Sequence, residues 1–157
     1  PGDTFFVYAG LIHAIGAGVL LAEIQQTSDI TYRIYDWDRK DADGNYRELH
    51  QQEALEAIDY DSSKRYKVNY ADTKDQIESL VTCPHFITNS INVTTSQKLS
   101  HKNIDSFVIY ICVEGSVVIQ EKNIPIEMKT GKTILVPAAI EEVQIVSGKG
   151  RILQVYI

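Results

Sequence analysis

Methionine, tryptophan and cysteine are almost missing from this chain, with one Met, one Trp and two Cys in 157 residues. Two cysteines cannot staple a small secreted scaffold, so the disulfide-dense class is excluded and a reducing, cytoplasmic setting is expected. Cys112, inside "FVIYICV", reads as a small buried hydrophobe. Positive charge is also short: 15 Lys and Arg stand against 21 Asp and Glu, for a net charge of -6 and a pI near 5.1. A phosphate-backbone binder needs a basic face, so no nucleic-acid partner is expected. No apolar run approaches the length of a membrane-spanning helix, and the first residues carry no basic signal-peptide region, so no membrane partner is expected either. What remains is the composition of a soluble globular protein, 44% hydrophobic and 23% charged. A chain of this length can bury a substantial core.

Hydrophobic alternation dominates the pattern. Residues 3–8 ("DTFFVY"), 19–27 ("VLLAEIQQT") and 30–38 ("ITYRIYDWD") each alternate and are predicted as strands. In the second of these, Glu23, Gln25 and Thr27 share one face. "GLIHAIGAG" is glycine-rich and reads as a turn-rich connection. One helix is predicted, at about 49–58 within "ELHQQEALEAIDY", with Leu55 and Ile58 as its apolar stripe. The polar stretch 61–75 reads as a connection with a short strand in "RYKVNY". From 85 onward strand follows strand, with "DSFVIYICVEGSVVIQ" read as a hairpin about its Glu-Gly pair. Turn signals stand at Thr130-Gly131 and at Gly148-Lys149-Gly150. Short strands at this spacing suggest a sandwich or small barrel.

Two stretches repeat. "GDTFFVYAGLIH" from Gly2 and "GKTILVPAAIEE" from Gly131 align without a gap, with Gly, Thr, Val and Ala recurring in register. Tyr8 stands where the second copy has Pro137, Gly10 where it has Ala139, and His13 where it has Glu142. Such a repeat marks duplicated architecture, although a glycine followed by a short apolar strand is a common arrangement. On the residues alone, His13 after a glycine turn reads more readily as a structural histidine than as a ligand. Glu23 reads as a solvent-facing strand residue, and Arg33 as a cross-strand ion-pair partner.

Both copies resemble the second conserved motif of the cupin superfamily: Gly, five residues, Pro, any residue, Gly, two residues, His. In that motif the turn lies at the mouth of a small β-barrel and the His points inward as a metal ligand. The first copy keeps Gly2, Gly10 and His13, while the second keeps Gly131 and Pro137 and lacks the rest. A longer resemblance runs through "HAIGAGVLLAEIQQTSDITYRIYDWDR" and the following "RELH". This stretch is similar to bacterial type I mannose-6-phosphate isomerases. The remainder, with "CPHF" and "ILVPA", is similar to the C-terminal cupin of that family. The resemblance implies a mostly β fold: a cupin-type, jelly-roll-like β-barrel preceded by part of a second cupin and one short helix. The implied division is 1–60, the C-terminal part of the catalytic cupin, and 61–157, a non-catalytic cupin domain.

The function so implied is isomerisation of mannose 6-phosphate and fructose 6-phosphate through a cis-enediol(ate), with one bound Zn2+. His13 matches a zinc histidine of the family. Glu23 matches a carboxylate lining the pocket, a candidate for proton transfer or its relay. Arg33 matches an arginine assigned to catalysis, suited to stabilising enediolate charge or holding an anionic substrate group. The family's other zinc ligands, a Gln/His-type pair and a Glu, come from strands before "PGDTFF". The chain is therefore expected to be a C-terminal portion, with an incomplete zinc site and no isomerase activity by itself. A second metal site at His101 is not expected, because Val108 supplies no acidic partner and Glu142 replaces a histidine. The remaining histidines, His50 and His85, are read as structural or unassigned, and residues 35–38 as structural. The rival reading is a non-catalytic cupin module that binds a sugar or supports oligomerisation. Another metal-dependent cupin, such as a dioxygenase, is a third. Exposed N-terminal strand edges would favour a homo-oligomer.

Overall fold

The computed structural model describes residues 1–27, 30–61 and 63–157. Ser28 and Asp29, in the run that leads to Arg33, and Ser62, in the connection at 61–75, lie outside the described residues. The chain forms two compact units. The larger contains Pro1–Thr4, Leu20–Gln26 and Val68–Ile157, and the smaller contains Phe5–Val19 and Thr27–Lys67. In chain order the elements are β1 (Thr4–Phe5), α1 (Gln51–Ala57), β2 (Lys67–Val68), β3 (Ile77–Thr82), β4 (Ile87–Val93) and β5 (Gln97–Ser100). There follow β6 (Val108–Glu121), β7 (Ile124–Lys129), β8 (Thr133–Val136) and β9 (Glu142–Tyr156). The fold is mostly β with one helix, as expected. β1 pairs with β2, and the other seven strands form one antiparallel network.

Two long strands organise that network. β6 and β9 pair from Ile109↔Val155 to Gln120↔Gln144. On its free side β9 takes β4 along 150–156 and β5 along 142–145. On its free side β6 takes β8 along 108–111 and β7 along 116–121. Each long strand therefore belongs to two four- or five-stranded layers. The layers face each other, because Ile91, Val108, Cys112 and Ile152 of one share a single buried cluster with Leu99, Val117, Met128 and Ile145 of the other. That is the construction of a jelly-roll-like barrel.

The alternation of β6 shows how the turn between layers is made. Val108, Tyr110 and Cys112 are buried, and then Val117 and Ile119 are buried, so the phase changes between them. An irregularity in pairing between Cys112 and Glu114 supplies the odd residue. A one-residue slip exchanges the faces of a strand, and a bulge is the local way to do it.

The expected hairpin at 105–120 and the expected turn at Gly148-Lys149-Gly150 are not found: β6 and β9 run through both. The glycines serve close approach instead. A Cβ on Gly115 would lie 2.3 Å from the Lys149 carbonyl oxygen, one on Gly148 2.2 Å from that of Ser116, and one on Gly150 2.2 Å from that of Glu114. Gly115 and Gly148 also hold φ of +73° and +102°, a region that L side chains rarely enter. The signal at Thr130-Gly131 does mark a turn, closed by Lys132 N–H to Lys129 C=O at 2.9 Å.

The expected strands at 19–27 and 30–38 do not form, and that at 3–8 shrinks to Thr4–Phe5. Alternation specifies which face a strand would bury, but a strand exists only when its backbone finds a partner. No ladder is offered to those segments among the described residues. The helix is shorter than expected: Ala54 is its buried residue, and Leu55 is 57% exposed.

The internal repeat has a structural counterpart. Gly2 and Gly131, in equivalent positions, hold φ of +85° and +89°. A strand follows each, and then the same turn: Leu11 N–H to Tyr8 C=O at 3.1 Å, and Ile140 N–H to Pro137 C=O at 2.9 Å. Cys112 is fully buried, as its apolar context suggested.

A Cβ at Gly150 must displace backbone, whereas Gly16 has open space around it and no left-handed φ. Gly150→Ala is expected to destabilise the chain by about 2–3 kcal/mol in urea unfolding, with Gly16→Ala within about 0.5 kcal/mol of the parent. An acid limb is also expected. Asp75 accepts hydrogen bonds from the N–H groups of Thr94 and Thr95, at 2.6 and 3.0 Å, and from the Thr94 hydroxyl. These hold its pKa at about 2, below the ordinary 3.8. A carboxyl lowered by folding contributes stability above its unfolded pKa and loses it as pH falls through the folded value. Urea midpoints are therefore expected to hold down to roughly pH 5 and to fall towards pH 2. The gap between the parent and Asp75→Asn should close over that same range.

Candidate active site

His13 stands at the end of the first-copy turn. Gly10 holds φ of +84°, and a Cβ there would meet the Ala57 carbonyl oxygen at 2.6 Å and the Asp59 nitrogen at 2.8 Å. Asp59 N–H donates to Gly10 C=O at 3.0 Å, which ties the turn to the end of α1. Beyond it, His13 Nδ1–H donates to the Leu11 carbonyl at 2.9 Å. In the neutral ring that bond makes Nε2 the acceptor nitrogen, and the residue is exposed. A histidine whose other nitrogen is anchored to a backbone carbonyl is arranged as metal-binding histidines usually are.

Arg33 is held by its neighbours in the smaller unit. Its Nη1 donates to the Glu48 carbonyl at 3.1 Å, and its backbone N–H donates to His50 Nδ1 at 3.2 Å. The His50 N–H returns a bond to the Arg33 carbonyl at 2.8 Å. Because His50 Nδ1 accepts, its proton sits on Nε2. His50 also precedes α1, where its carbonyl accepts from Ala54 N–H at 2.9 Å. The side chain of Arg33 is 24% exposed. His13 and Arg33 are each bonded to their own local partners rather than to one another. Glu23 belongs to the larger unit, is exposed, and makes no hydrogen bond or ion pair among the described residues.

Asp36, among the residues 35–38 read as structural, is the centre of a charge cluster. Its carboxylate accepts from Arg39 Nε and Nη2 at 3.2 and 2.6 Å, and from Arg47 Nε at 2.7 Å and Arg47 Nη2. The Arg47 guanidinium first, then that of Arg39, hold Asp36 down at about 2. The charged run "DRKDADGNYR" was the available signal, but solvated surface loops look the same in sequence.

The barrel holds a second polar cluster. His101 is buried, and its Nδ1–H donates to the Ile140 carbonyl at 3.1 Å. Its Nε2 then accepts from the Tyr110 hydroxyl at 2.7 Å. Gln154 donates to that hydroxyl at 3.0 Å, and Asn89 donates to Gln154 Oε1 at 3.0 Å. Burial pushes the Tyr110 phenol far above its ordinary range, so it keeps the proton it donates. Both His101 nitrogens are used within this chain of bonds. Glu142, the counterpart of His13, pairs instead with Lys98 at 2.9 Å.

Among the described residues, no group of three or more His, Cys, Asp or Glu gathers to hold a metal ion. A catalytic zinc takes about three protein ligands. His13 fits as one of them, but a complete zinc centre does not fit the described residues. Among them, no helix is long and apolar enough to cross a membrane.

Known proteins of one kind are similar to this chain. The family model of the mannose-6-phosphate isomerase cupin domain matches residues 76–157. Mannose-6-phosphate isomerase ManA of Bacillus subtilis (strain 168) is 38% identical over 144 residues, covering 90% of this chain and 45% of that protein. A mannose-6-phosphate isomerase of Streptococcus mutans is 49% identical over 57 residues, 36% of this chain and 18% of that protein. The crystal structure of the mannose 6-phosphate isomerase from Bacillus subtilis has a TM-score of 0.70 at 26% identity, over 83% of this chain and 41% of that one. A mutant of the phosphomannose isomerase from Salmonella typhimurium shares the fold, with a TM-score of 0.56 at 15% identity over 71% of this chain and 29% of that one. The chain thus spans a little under half the length of ManA.

Gly10→Ala is expected to unseat the turn that carries His13. The left-handed backbone and the backbone contacts together should cost about 2 kcal/mol or more in urea unfolding. The His13 imidazole signals in a 1H–15N spectrum should move with it, while those of His101 stay in place.

Proposed function

Because the chain belongs to the mannose-6-phosphate isomerase cupin-domain family, we propose that it acts as part of a longer, zinc-dependent aldose–ketose isomerase. The reaction is interconversion of mannose 6-phosphate and fructose 6-phosphate by proton transfer between C1 and C2 through a cis-enediol(ate). The reach of the similarity carries this reading. Identity to ManA at 38% extends over 90% of the chain, well beyond the barrel match at 76–157 and into the segment before it. In the proposed division, 1–60 completes the catalytic cupin and 61–157 is a non-catalytic cupin domain.

His13 supplies one metal ligand through its free Nε2. Its other ring nitrogen is already committed to Leu11, so the orientation is set before any metal arrives. The remaining ligands come from the rest of the longer polypeptide. Arg33 presents a fixed positive fork to the charge that develops on the enediolate oxygen, and Glu23 moves the proton. Ile12, Ile15, Val19, Leu20 and Ile30 are all more than half exposed. The rest of the polypeptide covers these side chains, or a second copy does. The 157-residue chain alone binds no zinc tightly and is inactive, and the setting is cytoplasmic.

The test compares this chain with a polypeptide extended to the length of its relatives. The extended protein is expected to hold about one zinc per chain and to turn over mannose 6-phosphate. Arg33→Lys should lower kcat by roughly a hundredfold, and His13→Ala should strip the zinc. Tight sugar binding with no turnover in the extended protein would favour the rival reading, a non-catalytic sugar-binding or oligomerisation module.

A further inference from the structure

One charge arrangement in the smaller unit is not used by the chemistry above. Asp36 is 6% exposed, the one buried carboxylate among the described residues. Three arginines stand around it. Arg39 and Arg47 are hydrogen-bonded to it, and Arg33 Nε lies 4.0 Å from Oδ1. A simple structural pair would need one guanidinium. Here one carboxylate offsets three, and without it the three would repel one another.

The connectivity shows what this carboxylate controls. Residues 36–47 form a small hairpin bridged at Lys40↔Tyr46, and the Asp41 carboxylate stiffens its tip by accepting from Asp43 and Asn45 N–H, both at 2.9 Å. Asp36 clasps Arg47 across the open end. Arg47 is followed directly by Glu48, whose carbonyl holds the Arg33 guanidinium, and two residues later comes His50, whose imidazole holds the Arg33 backbone N–H. Arg33 has no direct short bond to Asp36. Beside that 4.0 Å approach, the segment 47–50 links the two, bonded to Asp36 through Arg47 and to Arg33 through Glu48 and His50.

We propose that Asp36 is a positioning residue: by clamping Arg47, it sets the Glu48 carbonyl and the His50 imidazole that aim the Arg33 guanidinium. The ionised state of Asp36 is secure at any working pH, because its two bonded arginines hold it at about 2. The inference rests on the reading of Arg33 as the charge-stabilising residue.

The experiment is a double-mutant cycle in the extended isomerase, with kcat and KM for mannose 6-phosphate. Arg33→Ala is expected to lower kcat by roughly 10²–10³-fold. Asp36→Asn should lower kcat by roughly tenfold or more, with KM changed less than about threefold. The double variant should be no slower than Arg33→Ala, since Asp36 acts only through Arg33. Multiplying losses, or an unchanged kcat in Asp36→Asn, would overturn the proposal. A second readout separates the two ideas. In the 157-residue chain, the Arg33 Nε–H resonance is expected to shift and broaden in Asp36→Asn, and an unchanged resonance overturns the positioning role. If Arg33→Ala stays fully active, the catalytic reading fails and this resonance decides the positioning claim. If circular dichroism shows Asp36→Asn unfolded, Arg47→Gln takes its place in both arms, with the same outcomes expected.

Discussion

The pairing of β6 with β9 is the constraint on which the barrel depends. Two strands of 14 and 15 residues run side by side and pass from one layer to the other together. They can do so only where their backbones come closer than any side chain allows. Gly115, Gly148 and Gly150 occupy that crossing, and a Cβ on any of them would fall within 2.4 Å of a carbonyl oxygen on the partner strand. β4, β5, β7 and β8 each join an edge that this pair provides, and β3 adds to the outer edge of β4. The hydrophobic cluster then draws from both layers at once, which is why thirteen buried side chains among the described residues form one core rather than two.

Inside that core lies a directional chain of polar groups. Asn89 and Gln154 are opposite one another on β4 and β9, and Gln154 and Tyr110 are opposite on β9 and β6. Register therefore brings the amides and the phenol together before any side-chain choice is made. His101 completes the chain and delivers its remaining proton to the Ile140 carbonyl, in the turn that repeats the one before His13. Buried polar groups are tolerated when each is satisfied, and unpaired they are costly. This line of bonds joins three strands to a turn. The corresponding turn in the first copy ends on His13, which bonds within the chain through one ring nitrogen, so the duplicated turn ends differently in its two copies.

The smaller unit is held differently. Its order comes from charges and turn hydrogen bonds about Asp36, Asp41 and Asp59 rather than from a sheet. Strand alternation in 19–38 was legible, yet it says only which side chains would share a face. Glu23 and Arg33 lie in those segments, and the strands predicted for them do not form among the described residues. Asp36 was hidden for another reason. A buried carboxylate and a solvated one look alike in sequence, and only the return of Arg47 from eleven residues away takes this one out of water.

The sequence by itself determined the β class, the single short helix, the motifs that carry the family, and the repeat at Gly2 and Gly131. All of these rest on local periodicity, residue type or spacing, and each stretch of chain carries its own. Tertiary structure decided what the glycines of β6 and β9 are for. A glycine that turns a chain and one that lets another chain approach have the same letter, and only the partner's carbonyl oxygen at 2.2–2.3 Å tells them apart. It also decided which histidines are spent. His101 is fully bonded and His13 is half free, because one lies under a layer of strands and the other at the end of an exposed turn.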